Sequence, residues 1–183
     1  PPTARRNHGL AWVDTGLVVW GGETLNALSD GYFYEFASDE WTEISDTNAP
    51  NARFDHFCSY LPAHGMVVYG GNDGFGPFAD GGVYDPAGDV WAEIPSAGAP
   101  AAYFESSVAL AGQYVFSWGG FDNGFSSDGG RYDLDSDSWL AVTDTNAPTG
   151  RSEASTVWTG SVVIIWGGKV LGGYTDVGYY YFP

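Results

Sequence analysis

Four Gly-Gly pairs, Gly21-Gly22, Gly70-Gly71, Gly119-Gly120 and Gly167-Gly168, stand 49, 49 and 48 residues apart in a chain of 183 residues. A period of that length means that one supersecondary unit recurs, and that each copy buries its apolar surface against its neighbours rather than alone. Each pair follows a short apolar run ending in an aromatic residue: Leu17-Val18-Val19-Trp20, Met66-Val67-Val68-Tyr69, Val115-Phe116-Ser117-Trp118 and Val163-Ile164-Ile165-Trp166. These runs read as strands. Three of them are unbroken rather than alternating, so both faces are expected to be buried, with Trp20, Tyr69, Trp118 and Trp166 inside, as in a sheet sandwiched between two others.

A second element follows each pair: Asp30-Gly31-Tyr32-Phe33-Tyr34, Asp80-Gly81-Gly82-Val83-Tyr84, Asp128-Gly129-Gly130-Arg131-Tyr132 and Asp176-Val177-Gly178-Tyr179-Tyr180. Aligned this way, the Asp and the final Tyr occur in all four copies. Seven residues beyond that Tyr the first three copies place Trp41, Trp91 and Trp139, across turn-rich stretches such as Asp85-Pro86-Ala87-Gly88-Asp89. The fourth stops at Phe182-Pro183, short of its Trp. Upstream of each Gly-Gly lies another strand, opened by Pro2, Pro50, Pro100 or Pro148 and continuing as Arg5-Arg6-Asn7-His8, Arg53-Phe54-Asp55-His56, Tyr103-Phe104-Glu105-Ser106 and Arg151-Ser152-Glu153-Ala154. Four strands per copy make a meander, and the repeats fall at about 1–46, 47–95, 96–144 and 145–183. The connector Asp46-Thr47-Asn48-Ala49-Pro50 recurs as Asp144-Thr145-Asn146-Ala147-Pro148, which points to duplication.

This pattern resembles the kelch repeat, and the resemblance covers nearly the whole chain. It implies an all-β fold, a kelch-type β-propeller of four blades whose fourth blade lacks its outer strand. Kelch propellers usually resemble six- or seven-bladed rings, so the four blades are expected to be part of a larger ring. Further repeats or self-association would complete it, with Tyr179, Tyr181 and Phe182 near the incomplete edge. Resemblance to acidic, Asn-Ala-Pro-containing kelch arrays of secreted bacterial proteins implies an extracellular or cell-surface location. Kelch-like enzymes include galactose oxidase and bacterial sialic acid mutarotases, but no stretch here matches their sites, so a carbohydrate-active enzyme rests on fold analogy alone. No catalytic residue is assigned.

Composition narrows the partners. Twenty-three acidic against 6 basic side chains give a formal net charge of −17, which repels nucleic acid and anionic membrane surfaces. The lone Cys58 permits no intrachain disulfide and aligns with Leu10, Val108 and Thr156, as a small buried filler would. No apolar run approaches the roughly 20 residues that span a bilayer, so membrane insertion is not expected. With no initiator Met and no signal sequence at Pro1, the natural start is expected to have been removed.

The function expected is a binding or interaction module that uses its loop face for a protein or carbohydrate ligand. Alternate connections of a meander share one face, so the loops after Gly-Gly lie beside the interblade connectors. Their apolar residues Leu25, Leu28, Phe75, Phe78, Phe121, Phe125 and Tyr174, with Arg53 and Arg151 near by, are the candidate ligand contacts. A structural subunit of a surface assembly is the other binding reading. His8 and His56 share one repeat position and His64 lies in a turn, a spacing that makes no zinc site, and the first two are expected to have structural hydrogen-bonding roles. Asp55, Glu105 and Glu153 also share one position, with Asn7 in the first copy. In a radial fold they would form a ring able to hold Ca²⁺ or a cationic ligand. The run Asp133-Leu134-Asp135-Ser136-Asp137 lacks the Gly and distal Glu of a calcium loop and reads as a solvated turn.

Overall fold

A computed structural model of the chain describes residues 1–143 and 145–183; Asp144, the counterpart of Asp46 in the repeated connector, lies outside them. The described residues hold strands and no helix. The first blade is β1 (Gly9–Val13), β2 (Gly16–Trp20), β3 (Gly31–Glu35) and β4 (Glu40–Glu43). The second is β5 (Phe57–Leu61), β6 (Gly65–Tyr69), β7 (Gly81–Asp85) and β8 (Val90–Ile94). β9 (Ser107–Ala111), β10 (Tyr114–Trp118), β11 (Gly129–Asp133) and β12 (Ser138–Ala141) make the third. The fourth has three strands, β13 (Ser155–Trp158), β14 (Val163–Trp166) and β17 (Gly178–Tyr181), with the hairpin β15 (Lys169–Val170) and β16 (Gly173–Tyr174) at its loop. Every pairing is antiparallel, between neighbours in each meander. The blades fall into two compact units, Pro1–Ile94 and Pro95–Pro183, each with two blades.

Within the first unit, Ala11, Val13, Val18 and Trp20 of one blade pack on Met66, Val68, Tyr84 and Trp91 of the next. Within the second, Ala111, Phe116 and Trp118 pack on Val163 and Ile165. β6 is buried along its whole length, as its unbroken apolar run predicts, whereas β1 alternates, with Leu10 and Trp12 facing solvent. Trp20, Tyr69 and Trp118 are buried, but Trp166 is 56% exposed. That expectation is corrected for the fourth blade, where Trp166 and Val157 share an exposed face.

The strand register also corrects the fourth copy. Trp20, Tyr69 and Trp118 pair with Gly31, Gly81 and Gly129, each one residue after its Asp, while Trp166 pairs with Gly178. Val177 therefore stands where the other copies have Asp, and Tyr181, not Tyr180, is the repeat tyrosine. A one-residue slip exchanges the two faces of a strand. Tyr180 is accordingly 70% exposed, while Tyr181 packs on Phe116 with ring centroids 5.3 Å apart.

The Gly-Gly pairs sit at left-handed φ in every copy, 64° and 91° at Gly21 and Gly22 and 71° and 97° at Gly167 and Gly168. A Cβ on the second glycine would lie 2.7 Å from the Arg6 carbonyl in the first blade and 2.6 Å from the Ser152 carbonyl in the fourth. No other residue satisfies both constraints. Gly9 is tight for a different reason: its Cβ would meet His56 Nε2 at 2.6 Å and Cys58 Cβ at 2.7 Å. We expect Gly9→Ala to destabilise the protein by about 1–3 kcal/mol through overpacking. Gly124→Ala, where a Cβ meets nothing within 4 Å, should stay within about 0.5 kcal/mol of wild type in a denaturant titration.

Candidate functional site

The site begins where each inner strand starts, because that segment both ends the connector and meets the loop after Gly-Gly. Isolated bridges join Arg6 to Glu23, Phe54 to Asn72, Phe104 to Phe121 and Ser152 to Lys169. The same segment reaches back to the preceding blade. In the first unit Gly22 N–H donates to the Arg53 carbonyl at 2.9 Å and Arg53 N–H to the Leu28 carbonyl at 3.1 Å. In the second, Gly120 N–H donates to the Arg151 carbonyl at 2.8 Å and Arg151 N–H to the Ser126 carbonyl at 3.1 Å. The loops are thus stitched to the scaffold at their bases.

Arginine side chains complete the base. Arg53 is fully buried, donating to the Gly70 and Asp80 carbonyls at 3.0 Å each and to Asp80 Oδ1 at 2.7 Å, with its guanidinium over the Phe78 ring. Arg5 repeats the arrangement with the Gly21 carbonyl and Asp30, whose carboxyl it holds below the usual range. Among the described residues the buried Arg151 is held by the carbonyls of Thr149, Gly167 and Val177, in keeping with the shifted register. The guanidiniums of Arg53 and Arg151 are directed into their own blades, as clamps on the Gly-Gly turn. The third copy has Tyr103 in place of the Arg, and Asp128 there accepts from Gly129 N–H and Ala101 N–H. Asp30 and Asp80 are the residues that sequence reasoning missed. The signal was available, since copies one and two carry both the Arg and the Asp.

The candidate apolar residues separate into two sets. Leu25 and Phe75, both 97% exposed, stand at hairpin tips in the first unit, and Tyr174 is 78% exposed beside Leu171 in the second. Phe121 is partly exposed and faces Phe125 across a small hairpin at 5.1 Å. Leu28, Phe78 and Phe125 are half-buried and belong to the loop bases. The Phe75 tip is shaped by Asp73, whose carboxylate accepts from Phe75 N–H and Gly76 N–H, which lowers its pKa.

The shared acidic position has a backbone explanation. Asn7, Asp55, Glu105 and Glu153 all lie at φ between 54° and 57°, a region Asn and Asp enter readily and Glu rarely. Asp55 N–H donates to the Asn7 carbonyl at 3.1 Å, and Glu153 N–H to the Glu105 carbonyl at 3.2 Å. Glu105 Oε2 accepts from Ser152 Oγ at 2.9 Å, and Lys169 Nζ lies 3.9 Å from Glu153. No group of three or more His, Cys, Asp or Glu side chains is placed to hold a metal ion among the described residues.

His8 is exposed, whereas both ring nitrogens of His56 are shut off from solvent and have no hydrogen-bond partner among the described residues, which corrects the hydrogen-bonding role expected for that ring. The ring packs edge-on against Trp20 at 5.3 Å. Burial, then Arg53 and His8, push its pKa down to about 3; a weak opposing pull from the Arg53 backbone does not offset them. Burial also raises the Cys58 thiol to about 12, so it is no nucleophile at neutral pH. Asp133-Leu134-Asp135-Ser136-Asp137 is a turn, with Asp133 Oδ1 accepting from Asp135 N–H.

The chain belongs to the Kelch-repeat family: residues 1–168 match the KLHDC2/KLHL20/DRC7 Kelch-repeats domain. No individual curated protein matches it. A Kelch-repeat domain is a β-propeller protein-interaction module, and no helix among the described residues is long and apolar enough to cross a membrane.

Two predictions test the scaffold of the site. Arg53→Ala removes the buried half of an ion pair whose Asp80 carboxylate is 31% exposed and leaves the Gly70 and Asp80 carbonyls without their donor, which should destabilise by about 1–3 kcal/mol. Arg6→Ala, at a side chain 76% exposed, should cost less than about 1 kcal/mol by the same unfolding assay. For His56 the folded pKa lies below the unfolded 6.5, so its stabilising contribution is full above pH 6.5 and is lost as pH falls toward 3. The difference in unfolding free energy between wild type and His56→Gln should shrink across that window. An unchanged difference would remove the linkage.

Proposed function

We propose that this kelch module binds a protein ligand at its loop tips, through apolar side chains presented on hairpins. The observation that carries the reading is the near-complete exposure of Leu25 and Phe75 on loops whose bases are fixed by the Arg53 stitch and clamp. An anchor held rigidly loses little conformational freedom on binding, which is why exposed aromatic and aliphatic tips on a stiff scaffold suit recognition. Asp73 and the overall charge of −17 favour a ligand with basic residues around its apolar contacts. The resemblance to secreted arrays supports a site of action outside the cytoplasm.

The flanking faces favour a second reading, membership of a larger assembly. Leu10, Trp12 and Phe36 of the first blade are 53–58% exposed, and so are Val157 and Trp166 of the fourth at 55–56%. In the first unit the face of the second blade that corresponds to Leu10 and Trp12 is the one that receives its neighbour, through Tyr60, Met66 and Val68. Further repeats or a second copy would cover such surfaces.

Peptide display against the protein, with a glycan array in parallel, tests the first reading. Selected peptides should lose at least tenfold in affinity to Leu25→Ser and Phe75→Ser, with melting temperatures unchanged. Glycan binding without peptide binding, or peptides indifferent to both substitutions, would overturn it. Solution mass tests the second: a strictly monomeric chain with no partner at micromolar concentration would count against assembly.

A further inference from the structure

The four copies treat one arginine and aspartate pair differently. In the first, Arg5 Nη1 and Nη2 donate to the two carboxylate oxygens of Asp30 at 2.8 Å each, and Arg5, helped by the Tyr32 hydroxyl, keeps that carboxyl ionised. In the second, Arg53 Nη2 donates to Asp80 Oδ1 at 2.7 Å. The third has Tyr103 for the arginine, and its Asp128 accepts from backbone N–H groups instead. The fourth keeps the arginine and loses the carboxylate, because the one-residue slip of β17 puts Val177 where the aspartate stands in the other copies.

The main chain around Arg151 is otherwise that of the first two copies. Nε donates to the Thr149 carbonyl at 3.1 Å, as Arg5 Nε does to the Thr3 carbonyl at 3.2 Å. Nη1 donates to the carbonyls of Gly167 and Val177, as Arg53 Nη1 does to those of Gly70 and Asp80. Among the described residues Nη2 donates to none. The residue is 2% exposed, so a buried guanidinium is left with an unused donor and no counter-charge. Burial lowers its pKa, and what opposes that is the Tyr179 phenol rather than a carboxylate. Tyr179 holds the repeat position of Tyr32 and lies under Arg151 at 5.5 Å, as Tyr32 lies under Arg5 at 5.8 Å.

The place that the carboxylate takes faces solvent in the repeat itself. Asp30 is 31% exposed although its blade has all four strands and is packed on the second, and Val177 is 45% exposed. Access is thus a property of the turn, and every residue concerned lies between Thr149 and Tyr179.

We propose that the base of the fourth loop binds a carboxylate, one oxygen of which accepts from Arg151 Nη2 where Asp30 and Asp80 supply their own, with the Tyr179 hydroxyl as a second donor. A charge-assisted bond to a buried guanidinium is stronger than a neutral one and restores the counter-charge that the fourth copy lacks. The net charge of −17 repels anions in general, and it repels a monocarboxylate less than a dianion such as sulfate.

The test is thermal unfolding of the full chain in sodium acetate and in sodium chloride at equal ionic strength and neutral pH, with amide resonances followed in parallel. Acetate at about 0.1 M should raise the melting temperature by about 2 °C or more over chloride. Its shifts should be confined to Gly167–Lys169 and Asp176–Tyr179. Val177→Asp restores the aspartate of the first two copies, so it should melt above wild type in chloride and lose the acetate response. That loss also separates binding from a general salt effect. Tyr179→Phe should weaken acetate by about threefold. Asp176→Asn should keep the response, since the neighbouring exposed carboxylate is not the acceptor. A blocked tripeptide carrying one glutamate distinguishes the source: the same shifts would assign the site to an acidic side chain of another polypeptide, and their absence, with acetate still binding, to a free small carboxylate. Equal melting in the two salts, an acetate response that survives in Val177→Asp, or shifts elsewhere in the chain would overturn the proposal. Leu25→Ser and Phe75→Ser should leave acetate binding unchanged, which separates its failure from failure of the loop-tip reading.

Discussion

Two successive left-handed glycines at the end of each second strand are the constraint on which the rest of the structure depends. They turn the chain so sharply that the backbone of the inner-strand segment passes where a Cβ would otherwise sit, 2.6–2.8 Å away in all four copies. That approach exposes the first glycine carbonyl to a guanidinium and the second glycine N–H to the next blade. Gly70 O accepts from Arg53, and Gly22 N–H donates to the Arg53 carbonyl, so one arginine residue serves the turn of its own blade with its side chain and the turn before it with its backbone. Burying the guanidinium is tolerable because the carbonyls, and in two copies a carboxylate, replace its water. Blade cohesion and loop placement therefore share a single joint.

The turn chemistry beyond that joint follows a second local rule. Tyr84 donates its hydroxyl to Asp89 at 2.8 Å, and the corresponding tyrosines Tyr34 and Tyr132 bond Asp39 and Asp137. All three aspartates lie at φ between 50° and 59°. The short acidic side chain makes the left-handed turn cheap and at the same time ties the tyrosine ring over the following tryptophan, 5.1 Å from Tyr84 to Trp91. Much of the chain's negative charge is thus placed at turns for conformational reasons, and only a part of it, such as Asp73 at a loop tip, lies where a ligand would feel it.

Most of the blade architecture was legible because Gly-Gly, the aromatic before it and the Tyr-to-Trp spacing each recur at fixed offsets, and offsets translate directly into strand positions. The fourth copy was misaligned by one residue for a physical reason: Asp176 and Tyr180 preserve the residue types but not the pairing, and only the Trp166–Gly178 register reveals which face each tyrosine takes. Arg53 and Arg151 read as ligand contacts because an arginine near a loop is usually exposed. Arg151, among the described residues, is held by main-chain carbonyls, which leave no trace in side-chain identity, and Arg53 adds to its carbonyls the Asp80 carboxylate. The exposed tips were readable, since Leu25 and Phe75 sit among Gly, Asn and Asp with no periodic partner. The half-buried Leu28, Phe78 and Phe125 were not, because a loop's fold over its own base depends on tertiary contacts.

Repeat equivalence also explains why surface exposure is unevenly distributed. Trp20 and Trp166 hold one repeat position, as do Trp12 and Tyr60, and in each pair one member is exposed while the other packs against the neighbouring blade of its own unit. The residue type is set by the repeat and the exposure by whether another blade is present. Apolar residues on these faces are therefore specified for packing even where nothing packs on them. An aromatic such as Trp12, lying 5.1 Å from Phe36 and more than half open to water, leaves part of its transfer free energy unrealised. The loop tips differ in kind: Leu25 and Phe75 are exposed in copies whose blades are packed together, so their exposure is a property of the loops themselves.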